Sequence, residues 1–296
     1  MKLTKREKVQ GLSVALPMVL YFCIFTFIPL GMMVFFSFTD KHSLRPESGK
    51  FIGFANYAEF FRGSEYISYL SIFGTTILIS VFTIAISVIV GFLIAKLLTL
   101  DLKGKEVLRT IWYIPVVISM AIVSQMTKVV IDPVSGVINN ILLSLHIVDV
   151  GINFYESTAW MLFWIIGICI WKGLGATIVL YIAGLQSVPT EMYEAADIDG
   201  ANGAQKLWYI TIPAVKPMTG FVMITSIIGA FNIFEPVQLI SGGGPNGTTK
   251  VILYQIYDDA FLNFRLGFAN ATSVIVMIFV FILTKINMKL SEVKYV

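Results

Sequence analysis

The 296-residue sequence is poor in charge, histidine and cysteine, and each shortage excludes a class of protein. Asp, Glu, Lys and Arg make up 13% of the chain, against roughly 25% in an ordinary soluble domain, so a water-exposed globular surface is not what this composition covers. The formal net charge is only +3, and the basic residues sit in short clusters beside apolar runs, where anionic lipid accounts for them. No nucleic-acid partner follows. The two histidines, His42 and His146, are far apart and have no metal-ligand spacing. The two cysteines, Cys23 and Cys169, both fall in apolar runs, which suits small core or lipid-facing residues better than a disulfide. A phosphate loop of the form G-x-x-x-x-G-K-[ST] is missing, so the chain is not expected to bind and hydrolyse nucleotide itself. No cofactor is implied. Lys172 and Glu235, the ionisable residues deep in apolar runs, make no converging set of acid, base and nucleophile, so an enzyme is not expected either.

What the chain has in abundance is hydrocarbon. Hydrophobic residues are 57% of it and the mean hydropathy is +0.83. A membrane-spanning helix needs about 20 predominantly apolar residues, and six such runs occur: Gly11 to Phe38, Ser71 to Leu98, Leu108 to Ile131, Thr158 to Gln186, Pro217 to Ile240 and Gly267 to Lys289. Leu, Ile, Val, Met and Ala fill them without the alternation of a barrel strand, so the expected fold is all-α. Lys2, Lys5, Arg6 and Lys8 imitate the start of a signal peptide, but the apolar stretch from Val9 to Thr39 is too long for one. It reads as an uncleaved first span.

Lys and Arg set the direction. With six spans both termini share a side. That side collects Lys2, Lys5, Arg6, Lys8, Lys103, Lys105, Arg109, Lys206, Lys216, Lys289 and Lys294; the other holds Lys41, Arg45, Lys50, Arg62, Lys250 and Arg265. The bias puts both termini in the cytoplasm. The segment 187–213, between the fourth and fifth spans, is then cytoplasmic. It holds the chain's densest group of carboxylates: Glu191, Glu194, Asp197 and Asp199, interleaved with Ala195 and Ala196 and closed by Gly200. Thr190 is the expected N-cap of a short helix, with the two glutamates at its positive end. Gly200 suits a left-handed position after its last turn. Asn202 or Gly203 then caps a second short helix that ends at Pro213. The expected result is a helix, a glycine bend and another helix. One face of the first helix carries Glu194 with the small Ala195 and Ala196, which suits docking to a partner.

From Glu194 the order is Glu-Ala-Ala, three residues, Gly200, nine residues, then Ile210, Thr211, Ile212 and Pro213. This resembles the E-A-A-x3-G-x9-I-x-L-P loop of the permease subunits of binding-protein-dependent ABC importers, with Ile212 in the place of leucine. Leu185-Gln186-Ser187-Val188-Pro189, Glu191-Met192-Tyr193 and Asp199-Gly200-Ala201 are similar to the carbohydrate-uptake branch. Ser241 to Pro245 with Thr248 and Thr249, Ile256-Tyr257, Ala260-Phe261, Arg109-Thr110 with Pro115, and Asp132-Pro133 with Gly136 resemble the first maltose-type permease subunit. Two departures stand out: Gly74, Thr75 and Thr76 replace an Asn-Thr pair common in the family, and the loop from Asp40 to Leu70 is short.

The resemblance implies a type I ABC importer permease fold with six transmembrane helices in one domain. It further implies a multi-pass protein of a bacterial cytoplasmic membrane, importing a sugar or oligosaccharide. The implied partners are a second related permease (a heterodimer), two cytoplasmic ATPase subunits and an external sugar-binding protein. Glu194, Ala195, Ala196, Asp199 and Gly200 are implied to contact the ATPase. Alignment on the signature glutamate and on the Gly-Gly-Pro stretch places Gly173, Ala176, Ser226, Ala230 and Ile233 where the family holds sugar. Trp164, Trp171 and Asn232 are equal candidates, because aromatic faces and amides suit sugar rings and hydroxyls. Lys172 is either a pocket residue or one member of a structural ion pair, and Glu235, before Pro236, marks the outer end of its helix. A polyol or glycerol phosphate permease shares the loop signature, and an ATP-independent carrier leaves it unexplained.

Overall fold

The computed structural model describes residues 15–291 apart from 46, 48 and 64, with the backbone alone at Tyr66. The basic cluster from Lys2 to Lys8, the start of the first span at Gly11, and Lys294 lie outside the described residues. Those residues are helical almost throughout, with no strand beyond two isolated bridges. In chain order the helices are α1 (Ala15–Phe36), α2 (Ala55–Arg62), α3 (Tyr66–Thr99), α4 (Lys105–Val117), α5 (Met120–Val130) and α6 (Val137–Ser144). They continue with α7 (Thr158–Gln186), α8 (Thr190–Ile198), α9 (Gly203–Ala214), α10 (Lys216–Phe231), α11 (Ile252–Tyr257) and α12 (Leu266–Ser291). Of these α1, α3, α7 and α12 are long and apolar enough to cross a membrane unaided. The bent pairs α4–α5 and α9–α10 bring the number of candidate spans to six if each counts as one.

Two compact units emerge from the contacts. The first holds the described residues up to Ile67 together with Ile256–Ile278. None of the residues of α1 is buried within it, so α1 offers its side chains to lipid or to another chain. Polar pairs fix the loop after α1. The buried Asn56 amide donates to the carbonyls of Ser37 (2.8 Å) and Thr39 (2.9 Å), and the Gly267 N–H donates to the Lys41 carbonyl at 2.8 Å. Arg265 pairs with Glu59 and Glu65 and lies 4.2 Å over the Phe268 ring.

The second unit, Ser68–Gln255 with Phe279 onward, is organised around α7. This 29-residue helix buries two stretches of apolar side chains. Met161, Ile165, Ile168 and Cys169 join Ile79, Val123, Val237 and Ile240 in one core cluster; Leu174, Ile178, Tyr181 and Ile182 join Ala95, Leu98 and Val222 in another. Small residues let the helices approach, since lipid supplies little drive for apolar side chains to associate. A Cβ on Gly175 would fall on the Trp112 carbonyl of α4. One on Gly91 of α3 would lie 2.6 Å from Thr177 Cγ2, and one on Gly184 would lie 2.9 Å from Met218 of α10. A Cβ on Gly173, two residues from Gly175, would meet no atom within 4 Å beyond its own helix backbone. Gly175→Leu is therefore expected to cut the yield of folded protein severely, while Gly173→Ala leaves it near wild type. Monodispersity of the two variants on size-exclusion chromatography checks this.

The segments read above as spans over 108–131 and 217–240 are each broken. Helix α4 stops at Val117 and α5 starts at Met120, with 94° between their axes. Pro115 lies inside α4 without an N–H, and Ile118 and Ser119 are both extended, with ψ of 137°. Helix α10 ends at Phe231, and residues 232–234 are non-helical before a π turn at Val237–Ser241. Glu235 is thus four residues beyond the end of α10, and the sequence reading that made it the end of that helix does not hold. Beyond α5, the Asp132 carboxylate accepts from the Ser135 amide (2.8 Å), its hydroxyl (3.0 Å) and the Val134 amide (3.0 Å). Those bonds, from Ser135 first, hold its carboxyl below the usual carboxylate range.

Candidate functional site

Lys172 is the fifteenth residue of the 29 in α7, at its midpoint, and lies between the two core clusters. A cavity of about 370 Å³ opens there. Its walls include Lys172, Gly173 and Ala176 from α7, Ser226 and Ala230 from α10, and Asn232 and Ile233 from the unwound stretch. Residues far apart in sequence thus line one cavity. Trp164 and Trp171 are not among the lining residues. Trp164 packs edge-on against Phe163 (5.4 Å) and Phe154 (5.8 Å), and Trp171 is an exposed residue of α7.

Sequence reading missed the contributions of α3, namely Thr83 and Ser87, and of Thr177 and Thr225. The signal was present: Thr83 and Ser87 stand four apart, on one face of α3. The Thr83 hydroxyl has no partner among the described residues. Glu235 also lines the cavity.

The Lys172 ammonium contacts backbone. Its Nζ lies 2.6 Å from the Ile118 carbonyl, 3.2 Å from that of Val116 and 3.4 Å from that of Pro115. These are carbonyls left open where α4 breaks, at the negative end of its dipole. In a hydrocarbon layer each open carbonyl is costly, so the lysine and the break stabilise each other. Neither a carboxylate nor exposure at a membrane surface accounts for Lys172; a helix end does.

The second assembly is the polar segment after α7. Pro189, not Thr190, occupies the N-cap of α8, and no side chain caps it there; Thr190 is already in the first turn. The proline lacks the N–H that would otherwise need a partner near a helix start. At the other end Gly200 has φ +75°. Its N–H donates to the Asp197 carbonyl (3.1 Å) and that of Ala201 to the Ala196 carbonyl (2.8 Å), which closes a Schellman motif. Asn202 and Gln205 form a capping box that starts α9. That helix does not stop at Pro213: a π turn over Leu207–Thr211 absorbs the missing N–H, and the helix reaches Ala214.

Ala195 and Ala196 do not share a face. Successive residues of an α-helix are 100° apart, and only positions three and four apart align. Ala196 is buried, while Glu191, Glu194, Ala195 and Ile198 form one exposed stripe, with Ile198 87% accessible. The inner side is pinned by a Tyr193 Oη to Thr211 Oγ1 contact of 3.0 Å and by the Asp197–Lys206 ion pair. Asp199 and Gly200 are exposed at the bend. Small, acidic and apolar groups thus stand together on a helix held firmly from behind.

Helices apolar enough to span a membrane, with a cavity carrying a few polar groups halfway along the most buried of them, suit a membrane permease. The chain belongs to the family described as binding-protein-dependent transport system inner membrane component, whose model matches residues 87–291. It is 30% identical to the probable ABC transporter permease protein YurN of Bacillus subtilis (strain 168), over 91% of this chain and 92% of that one. Identity is 28% to the sn-glycerol-3-phosphate transport system permease protein UgpA of Agrobacterium fabrum (93% and 92% covered). It is also 28% to the multiple sugar-binding transport system permease protein MsmF of Streptococcus mutans (91% and 90% covered). A solved bacterial ABC transporter involved in the import of the acidic polysaccharide alginate has the same fold, with a TM-score of 0.80 at 23% identity over 97% of this chain and 96% of that one. The chain is a multi-pass membrane transport subunit.

Proposed function

We propose that this chain forms, with a second related permease, the pathway through which a sugar or oligosaccharide is imported across a bacterial cytoplasmic membrane at the expense of ATP. Both termini and residues 187–213 lie in the cytoplasm. Two ATPase subunits dock there, each permease offering one helix, and an external sugar-binding protein delivers the solute at the opposite side. The observation that carries the reading is the exposed stripe Glu191, Glu194, Ala195 and Ile198 on a helix braced from behind. A connecting loop with no partner has no need of an exposed isoleucine beside an alanine and two glutamates. Closure of the ATPases on ATP pushes α8, and the Asp197–Lys206 pair and Tyr193–Thr211 contact pass the push to α9. The spans then tilt as rigid bodies from inward-open to outward-open.

In this reading Gly173, Ala176, Ser226, Ala230, Asn232 and Ile233 face the solute on its way, and Lys172 stands in the same wall with its ammonium turned to the carbonyls of the α4 break. Trp164 and Trp171 have no place at the cavity wall. Glycerol phosphate stands as the second reading, because several relatives carry that substrate in their names. The test is affinity purification of the complex through a tag on this chain. A related permease and an ATPase with a phosphate loop should be recovered in stoichiometric amounts. Transport by this chain alone, without ATP, would overturn the proposal.

A further inference from the structure

The cavity beside α7 has two charged residues in its wall, Lys172 and Glu235, and they are not equivalent. An ammonium has three donors, and three carbonyls of the α4 break stand within 3.4 Å of Lys172 Nζ. Its donors are committed to backbone, and its charge sits against the negative end of the α4 dipole. The Glu235 carboxylate is the opposite case. It lines the cavity, and no described residue donates a hydrogen bond to it or forms an ion pair with it. A short distance along the chain, Asn232 spends one amide hydrogen on the Ile228 carbonyl at 2.9 Å, which leaves its own oxygen as a further acceptor. Thr83 adds a hydroxyl without a partner.

From this geometry we infer that Glu235 sets the selectivity of the cavity: it accepts hydroxyls of an uncharged polyhydroxylated solute and turns away carboxylated or phosphorylated ones. The inference rests on the reading that this cavity is the solute path, and it separates this chain from relatives and neighbours whose names mention glycerol phosphate or an acidic polysaccharide. An anionic solute here meets a carboxylate with no donor of its own, while the one ammonium in the wall has its donors turned to the carbonyls of the α4 break and its charge against the negative end of that helix. A sugar hydroxyl meets an acceptor that lacks a donor.

The test reads the charge preference of the cavity without knowing which solute the importer carries. Ser226→Cys places a thiol in the wall of the full-length chain, with Cys23→Ser and Cys169→Ser removing the native thiols, in membrane vesicles holding the whole complex. Its reaction rates with a trimethylammonium methanethiosulfonate and with a sulfonate methanethiosulfonate are measured. The reference is Ser144→Cys, at an exposed position away from the cavity. The cation-to-anion rate ratio should exceed the reference by about tenfold, as a single nearby unpaired charge predicts at intermediate dielectric. Glu235→Gln should bring the ratio back to the reference. Thr225→Cys serves as a second reporter if Glu235→Gln fails to assemble, since the raised ratio must appear there too in the presence of Glu235. A ratio equal to or below the reference overturns the inference. So does a raised ratio that Glu235→Gln leaves unchanged, and so does a thiol that neither reagent reaches. Uptake of neutral oligosaccharides by the unmodified importer is scored separately. If that fails while the ratio stays raised, the sugar assignment falls and the charge preference stands.

Discussion

Lys172→Met should yield a complex that assembles poorly and unfolds at a temperature lower by several degrees. Methionine keeps much of the stem volume, so packing along α7 is little disturbed. What is lost is the donor set facing the Ile118, Val116 and Pro115 carbonyls. Stranding acceptors that an ammonium had satisfied costs about 2–4 kcal/mol. The loss falls on the α4–α5 break, which then has no cap. Lys172→Arg should recover part of it, because a guanidinium still donates to carbonyls, although its planar fork fits the three acceptors less well. The measurements are yield of intact complex and its thermal midpoint. Solute-stimulated ATP turnover per assembled complex should change much less than yield, since the ammonium has no donor left for a ligand. A variant of wild-type stability with impaired solute response would show that Lys172 acts on the solute instead.

The second large effect is expected at the bend after α8. Gly200 has φ +75°, a value that the proline ring, fixed near −65°, cannot adopt. Gly200→Pro removes the Schellman closure as well, because its N–H is one of the two that close it. Insertion into the membrane should be unaffected, since no span is touched. Uptake and complex-dependent ATP hydrolysis should both fall by more than about tenfold, a loss of at least about 1.4 kcal/mol of coupling. Gly200→Asn should be far milder, because asparagine tolerates the left-handed region. Glu194→Lys attacks the same surface by charge alone: it reverses the centre of the exposed stripe and leaves the Asp197–Lys206 pair intact. Uptake in vesicles, with ATPase assays on the same preparations, decides. Transport at wild-type level in both Gly200→Pro and Glu194→Lys would remove this segment from coupling.

Much of the molecule can be read from its order of residues because membranes impose strong rules. A run of about 20 apolar residues becomes a helix, since backbone groups in lipid have no other partner, and α1, α3, α7 and α12 appear where such runs stand. The bend at Gly200 and the capping box at Asn202 are equally local: one residue type fits the dihedral angle, and one pair of side chains satisfies the helix start.

What the order of residues could not decide is where a helix stops for the sake of another. The apolar run from Leu108 to Ile131 reads as one span although it contains Pro115; that it breaks by 94° depends on Lys172, 57 positions after Pro115, standing ready for the carbonyls. Glu235 next to Pro236 looks like the end of a helix until α10 is seen to finish at Phe231 and the carboxylate to face a cavity. Thr83 and Ser87 pass for scattered hydroxyls in a lipid-facing helix until α7 and α10 close the space opposite them. Periodicity and composition describe one helix and its solvent, so they determined the apolar runs and the polar segment, and the spacing of the loop from Glu194 to Pro213 carried the resemblance to the family. Which polar groups meet depends on how separate helices pack, through Gly91, Gly175 and Gly184, and only the tertiary structure decided that.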